Sequence, residues 1–281
     1  MEQFETHLSN AALAPATVVN YLADLRAFLR WSEGIRDGRE SPLDLARNDI
    51  QAYCSYLQDA EGYAPSSINR RLQALRKFYD FGVTRGWTST NPAQEVALLS
   101  ETVSLRSRSL TAVDIARLLA AVKKDGGRWA ARDWAVIQIL VGTGLKIGEL
   151  TQLQIADIHL EGDQPHLDVR DTSGDYDRTL PLDADLRDAL QHYLSNRRAV
   201  PDTDYLFLNR DGNPLSTRSV QRMLHRHAEE AGLEGLTSQS LRYMYARKAY
   251  ERCNDIEVVA RLLGHQHLAT TIRYLRPGSK K

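Results

Sequence analysis

The apolar positions first recur every three or four residues. From Pro15 to Trp31, Val18, Leu22, Leu25 and Leu29 form one stripe, and the spacing predicts a helix opened by a proline whose missing N–H is no loss in a first turn. A second helix is predicted from about Leu45 to Leu57, with Ile50, Tyr53, Cys54 and Leu57 on one side. A third runs from Ser66 or Ser67 as N-cap to about Tyr79; it places Ile68, Leu72, Leu75 and Tyr79 inside and turns Arg70, Arg71, Arg76 and Lys77 away from them. Gly86 and Asn91-Pro92 then break the pattern, and residues 97–109 carry no period. They read as a linker between a domain of residues 1–96 and one of 110–281.

In the second domain Thr111 caps a helix through about Val122, and an apolar run from Trp134 to Val141 ends at Gly142-Thr143-Gly144. That turn launches a helix carrying Lys146 and Glu149 near its start. The period then drops to two: Leu167 and Val169 alternate with Asp168 and Arg170, Ser173-Gly174-Asp175 supplies turn chemistry, and Thr179 to Leu182 returns as the second strand of a hairpin. Asp183 caps a helix with Leu186, Leu190 and Leu194 inside. Ser216 or Thr217 caps the next, where Val220, Met223, Leu224 and His227 face inward and Arg218, Arg222 and Arg226 form an i, i+4, i+8 stripe. The expected fold is mainly α with a small antiparallel β-sheet.

A chain of 281 residues holds two modest cores, and no apolar run nears the length of a membrane span. The first residues lack a basic segment followed by an apolar one, so a cytoplasmic location is expected. Cys54 and Cys253 sit far apart among helix formers and read as buried thiols in a reducing compartment. The 36 basic residues balance the 36 acidic ones, which argues against indiscriminate binding to polyanions and leaves clusters to make any case for DNA. No zinc pattern is evident; the pairs His225/His227 and His265/His267 lack cysteines at ligand spacing, so neither metal nor cofactor is expected.

The chemistry concentrates in three short strings: Gln239-Ser-Leu-Arg242, Leu263-Gly264-His265 and Thr270-Thr271-Ile272-Arg273-Tyr274. Arg242 offers a planar fork for a phosphate, His265 a ring that exchanges protons near neutrality, and Tyr274 a hydroxyl that can act as nucleophile. Together they suit attack on a phosphodiester.

These strings resemble the C-terminal signature of tyrosine recombinases, the phage integrase and Xer-like family, and the likeness extends to Gly142-Thr-Gly-Leu-Lys146-Ile-Gly-Glu149-Leu150, to Arg178-Thr-Leu-Pro181-Leu182 and to Ser67-Ile-Asn-Arg70-Arg71. The resemblance implies a two-domain DNA clamp: an N-terminal four-helix domain that grips duplex DNA through the helix bearing Arg70, Arg71, Arg76 and Lys77, and a catalytic-type domain whose Arg218, Arg222 and Arg226 approach the major groove. It implies cleavage without metal or ATP, through a 3′-phosphotyrosine on Tyr274, for site-specific recombination or integration. Six positions would carry that reaction, and Arg242, His265 and Tyr274 match the pattern. Lys146 stands where the family has an arginine, Ser173 where it has the hairpin lysine, and Gln239 where it has the histidine three residues before the arginine of the motif, here Arg242. Each exchange removes a fork, a charge or a proton carrier. Two main readings therefore stand side by side, a recombinase of weak or lost activity and a pseudo-recombinase serving as regulator, architectural factor or partner subunit, with a strand-passage enzyme of the type IB topoisomerase kind as a third. Only Leu275 to Lys281 follow the tyrosine, with Pro277-Gly278 breaking any helix, so a monomer in solution that associates on DNA is expected.

Overall fold

The computed structural model describes residues 1–11, 13, 15–34, 41–100, 110–171, 174, 176–197, 200–201 and 203–275, the side chains of 15, 16 and 176 excepted. The expected linker from 101 onward, the turn position Ser173 and the residues after Leu275 lie outside them. The chain divides into two compact units, Met1–Ser104 and Leu105–Lys281.

The first unit is four helices, α1 (Glu2–Asn10), α2 (Pro15–Glu33), α3 (Arg47–Asp59) and α4 (Pro65–Thr84), with a 3₁₀ turn at Pro42–Asp44. The stripes predicted for α2, α3 and α4 meet in one core: Leu25, Phe28, Ile50, Ile68 and Tyr79 are all 0% exposed. The sequence reading missed α1, since nine residues carrying Phe4 and Leu8 hold too few apolar positions to show a period. Those two are 1% exposed, and Phe4 meets Phe78 edge-on at 5.5 Å; burial of each contributes about 1.5–3 kcal/mol. Helix α4 starts earlier than expected, with Pro65 in its first turn and Ala64 as N-cap, because proline's fixed φ already suits a helix.

The second unit packs α5 (Ala112–Lys124), α7 (Ile147–Gln152), α8 (Ala184–Asn196), α9 (Thr217–Glu230) and α10 (Ser238–Cys253) against a central α6 (Ala130–Thr143), with α11 (Ile256–Leu263) and α12 (Leu268–Leu275) on α10 and a three-stranded sheet against α11. Helix α6 is buried on nearly every side from Ala135 to Leu140, which is why its sequence reads as an unbroken apolar run rather than a stripe. It ends on Gly144 at φ 64°, a left-handed cap at which an added Cβ would come within 2.5 Å of Tyr245. Thr111, Asp183 and Ser216 cap α5, α8 and α9 through their side chains as predicted.

The sheet is antiparallel in the order β1 (Ile158–His159), β2 (His166–Arg170), β3 (Tyr176–Pro181). Leu167 pairs with Ile158 and Leu180 on the buried face, whereas His166 pairs with His159 and Asp168 with Thr179 on the outer one. The predicted hairpin is β2–β3, and β1 escaped notice because two residues show no alternation. Cys54 is buried, but Cys253 is exposed at the end of α10, contrary to expectation. Among the described residues no helix is long and apolar enough to cross a membrane.

Candidate active site and nucleic-acid face

Three helices of the second unit bring the C-terminal strings together. Gln239 and Tyr243 lie four apart on α10, so they share a face, with Arg242 one turn from Gln239 beside them. Helix α11 ends on Gly264 at φ 62°, and this left-handed cap turns the chain so that His265 faces α10 and α12 returns over it. Tyr274 then sits 4.1 Å from the Tyr243 ring centroid and 4.9 Å, edge-on, from that of His265, with the Arg242 guanidinium carbon 5.9 Å from its own. Its hydroxyl accepts a hydrogen bond from the Gln239 amide at 2.5 Å. Arg242, His265, Tyr274 and Gln239 thus form one cluster, although the sequence spreads them over 36 positions.

Arg242 is 2% exposed. One Nη donates to the carbonyl of Gly144 at 2.6 Å; the other donates to the carbonyl of Leu263 at 2.5 Å and faces His265 Nε2 at 3.1 Å. Its Nε is buried and has no protein partner. The fork is thus spent largely on backbone carbonyls.

Because a guanidinium only donates, His265 Nε2 accepts from Arg242, and the ring proton sits on Nδ1, which donates to Thr271 Oγ1 at 2.9 Å. Burial, then the nearby charges of Arg242, Lys146 and Arg178, push the imidazole down to about 4 against a weaker opposing pull from Glu149. The sequence reading gave His265 a proton exchange near neutrality; the structure makes it a neutral acceptor at pH 7 that orients Arg242 instead.

Glu149 is the hub that the sequence undervalued. Its carboxylate accepts from the Lys146 N–H at 2.8 Å, from Lys146 Nζ at 3.2 Å and from Arg178 Nη2 at 3.0 Å, and lies 4.0 Å from Arg242 Nη1. Burial raises its pKa, but Arg178 and Lys146 together outweigh that and hold it below the ordinary carboxylate range. Lys146, 54% exposed at the N-cap of α7, is the member of this group nearest solvent. Arg178 is 9% exposed and also donates to the Leu262 carbonyl at 3.0 Å and to Asp177 at 2.5 Å. Of the groups near the hairpin that could stand in for a lysine at Ser173, Arg178 is committed in this way and Arg170 is bound to Asp157 at 2.6 Å. The Tyr176 side chain and Ser173 lie outside the described residues.

The basic residues expected on DNA divide sharply. Lys77, Arg218 and Arg222 are exposed. Arg70, 42% exposed, pairs with the buried Asp24. Arg71 is 13% exposed, stacks over Tyr63 at 4.3 Å and reaches Tyr53 at 3.4 Å, so it is mostly packed. Two of them spend donors inside the fold. Arg76 holds the Ala93 and Val96 carbonyls at 3.1 and 2.8 Å, fastening the segment after α4, and Arg226 pairs with Asp125 at 3.0 Å and the buried Asp133 at 3.1 Å. The helical spacing that put them in basic stripes could not show those acceptors, which are 17 or more positions distant in sequence.

Comparison with known proteins places the family of the unit that holds this cluster. Residues 108–280 match the phage integrase family and residues 1–86 match the phage integrase N-terminal SAM-like domain. Tyrosine recombinase XerA of Pyrococcus furiosus is 31% identical over 283 residues, spanning 100% of this chain and 90% of its own length. Tyrosine recombinase XerC of Pelobacter propionicus is 31% identical over 279 residues, spanning 98% and 90%. Among solved structures, XerH bound to its difH substrate superposes with a TM-score of 0.75 at 22% identity, covering 92% of this chain and 75% of that one. A lambda integrase tetramer on a Holliday junction gives 0.76 at 20%, covering 100% and 77%; at such identities these likenesses speak to the fold. The family match over the unit that holds Arg242, His265 and Tyr274, joined to full-length relatives, shows that the chain belongs to the phage integrase family, the tyrosine recombinases of Xer type.

Proposed function

We propose that the protein binds duplex DNA at specific sites, seats a backbone phosphate beside Arg242, and cleaves through Tyr274 slowly or not at all. The observation that carries this is the contact at the nucleophile: the Tyr274 hydroxyl lies against an amide nitrogen of Gln239, which neither takes nor gives a proton in the reaction. Attack would form an O–P bond to Tyr274 as a 3′-phosphotyrosine and expel a 5′-hydroxyl. That requires donors on the nonbridging oxygens and an acid for the leaving oxygen. Lys146 supplies a point charge in place of a fork, Ser173 no charge, and His265 is neutral. One lost donor lowers the rate by about 10²–10³ and one lost acid by about 10²–10⁴.

The same neutral His265 and the Gln239 contact favour, as a second reading, a non-catalytic DNA-binding regulator or partner subunit. Lambda integrase has been solved on DNA as dimer and tetramer, which supports assembly of this chain on DNA; that it is a monomer when free, in the cytoplasm with the nucleoid, belongs to the same proposal. A nicked suicide duplex tests the reading. The variant K146R/S173K/Q239H should form a covalent adduct at least about 10³-fold faster than the parent, and Tyr274→Phe should abolish it. A parent as fast as the triple variant overturns the proposal. Binding without any adduct from the parent, with an adduct from the triple variant, selects the regulator.

A further inference from the structure

The outer face of the sheet carries a cluster that the candidate active site does not use. His159 on β1 and His166 on β2 are direct cross-strand partners, and Asp168 lies two positions on from His166 on the same face. The two imidazoles stack at 4.4 Å with an interplanar angle of 21°, and His159 Nε2 stands 3.2 Å from Asp168 Oδ2. One donor atom from each of the three residues lies within 4.8 Å of the others. We propose that His159, His166 and Asp168 form a binding site for a divalent transition-metal ion of the zinc type.

Three features of the chemistry support it. Two donors sharing a zinc ion at bond lengths of about 2.0–2.2 Å stand about 3.2–3.5 Å apart at near-tetrahedral angles. The His159–Asp168 separation of 3.2 Å already falls there. Second, each remaining ligand is oriented from behind. A carbonyl oxygen only accepts, so His166 Nδ1 carries the proton that it donates to Gln164 O at 2.9 Å, leaving the lone pair on Nε2. Thr179 Oγ1 donates to Asp168 Oδ1 at 2.8 Å, turning the other oxygen toward the histidines. Third, the Arg170 guanidinium on this face is bound to Asp157 Oδ1 at 2.6 Å and meets Asp168 only through space.

Among the described residues the other comparable cluster, Asp125, Asp133 and His227, has its centre filled by a cation already, since Arg226 Nη2 lies 3.0 Å from Asp125, 3.1 Å from Asp133 and 3.0 Å from His227. Two imidazoles and a carboxylate suit zinc, nickel or copper rather than magnesium or calcium, and leave at least one coordination position for water. The ion would staple β1 to β2 on the face opposite the one from which Arg178 reaches Glu149, so it would fix the sheet without entering the active site. Sequence spacing exposes only histidine pairs close together in the chain, such as His225/His227 and His265/His267. His159 and His166 are seven positions apart and meet only because the turn between them pairs the strands.

The test uses the full chain, freed of bound metal by a chelator and titrated with Zn²⁺ against a chromophoric chelator, with Co²⁺ as a spectroscopic probe. One equivalent should bind, with visible absorption from bound Co²⁺, and the melting temperature should rise with Zn²⁺. Each of His159→Ala, His166→Ala and Asp168→Asn should weaken binding at least about tenfold, by comparison with the tenfold to hundredfold loss seen for outer-shell partners. The variant H159A/H166A should lose the melting shift while melting like the parent without metal. Equal affinity of parent and H159A/H166A, or no uptake by the parent below millimolar Zn²⁺, overturns the proposal.

Discussion

Replacing Glu149 with Gln removes one charge and leaves the shape. In the folded unit that charge sits 3.0 Å from Arg178, 3.2 Å from Lys146 Nζ and 4.0 Å from Arg242. Lys146, at 54% exposed, turns to water at little cost, but Arg178 at 9% and Arg242 at 3% cannot. Breaking a buried pair from one side costs about 3–5 kcal/mol. The Asp177 partner of Arg178, 40% exposed, returns part of this, which places E149Q at about 2–3 kcal/mol less stable. For a unit of this size each kcal/mol moves Tm by about 2–4 °C, so the melting of the second unit should fall by roughly 4–12 °C at pH 7. Calorimetry on the full chain reads it, with the transition of the first unit as an internal reference. Adding Arg178→Met should recover part of the loss, because the stranded cation goes with it. A fall under about 2 °C, or no recovery in the double variant, would refute the account of Glu149 as the counter-charge of the site.

Other outcomes follow from the same geometry. Gly144→Ala should destabilise by about 1–3 kcal/mol and weaken DNA binding, because a Cβ at φ 64° meets Tyr245 at 2.5 Å and displaces the carbonyl that Arg242 uses; denaturant melts and a duplex titration measure both. His265 has a folded pKa of about 4, below its unfolded value, so the unfolded chain takes up the proton first and stability falls as pH drops from about 6.5 to about 4, then levels. About 1–2 kcal/mol should be lost over that window after screening at a partly exposed ring, and His265→Asn should flatten it. Glu149 adds a separate loss at lower pH, since its depressed pKa stabilises the fold only where it stays ionised. Arg222→Ala and Lys77→Ala should each reduce the salt slope of DNA binding by about one, whereas Arg76→Ala and Arg226→Ala should lower Tm with little change in slope.

Much of this was legible from the chain because amphipathic stripes and side-chain caps are local. Thr111, Asp183 and Ser216 announce their helices within four residues, and the α2, α3 and α4 stripes need nothing beyond themselves. The cluster of Gln239, Arg242, His265 and Tyr274 was legible through motif resemblance, since no local rule brings α12 back over α10. What stayed hidden depends on distant partners. Arg76 meets a carbonyl 20 residues on, Arg226 an aspartate 93 residues back, and Arg178 a peptide oxygen 84 residues away. The shift at His265 has the same origin, because its desolvation and its three cationic neighbours exist only once α7, β3 and α10 have met.

The arginine at the centre of the site is held by two peptide oxygens, those of Gly144 and Leu263. Every residue type presents such an oxygen, so exchanges along those loops leave the anchor standing as long as the chain keeps its path. Lys146 and Gln239, by contrast, are exposed and act through their own side chains, on Glu149 and on the Tyr274 hydroxyl, so an exchange there changes the chemistry and not the path of the chain. If Arg242 seats the strand as proposed, a lineage can shed the reactive groups one at a time while that anchor outlives them, which would turn cutters into binders.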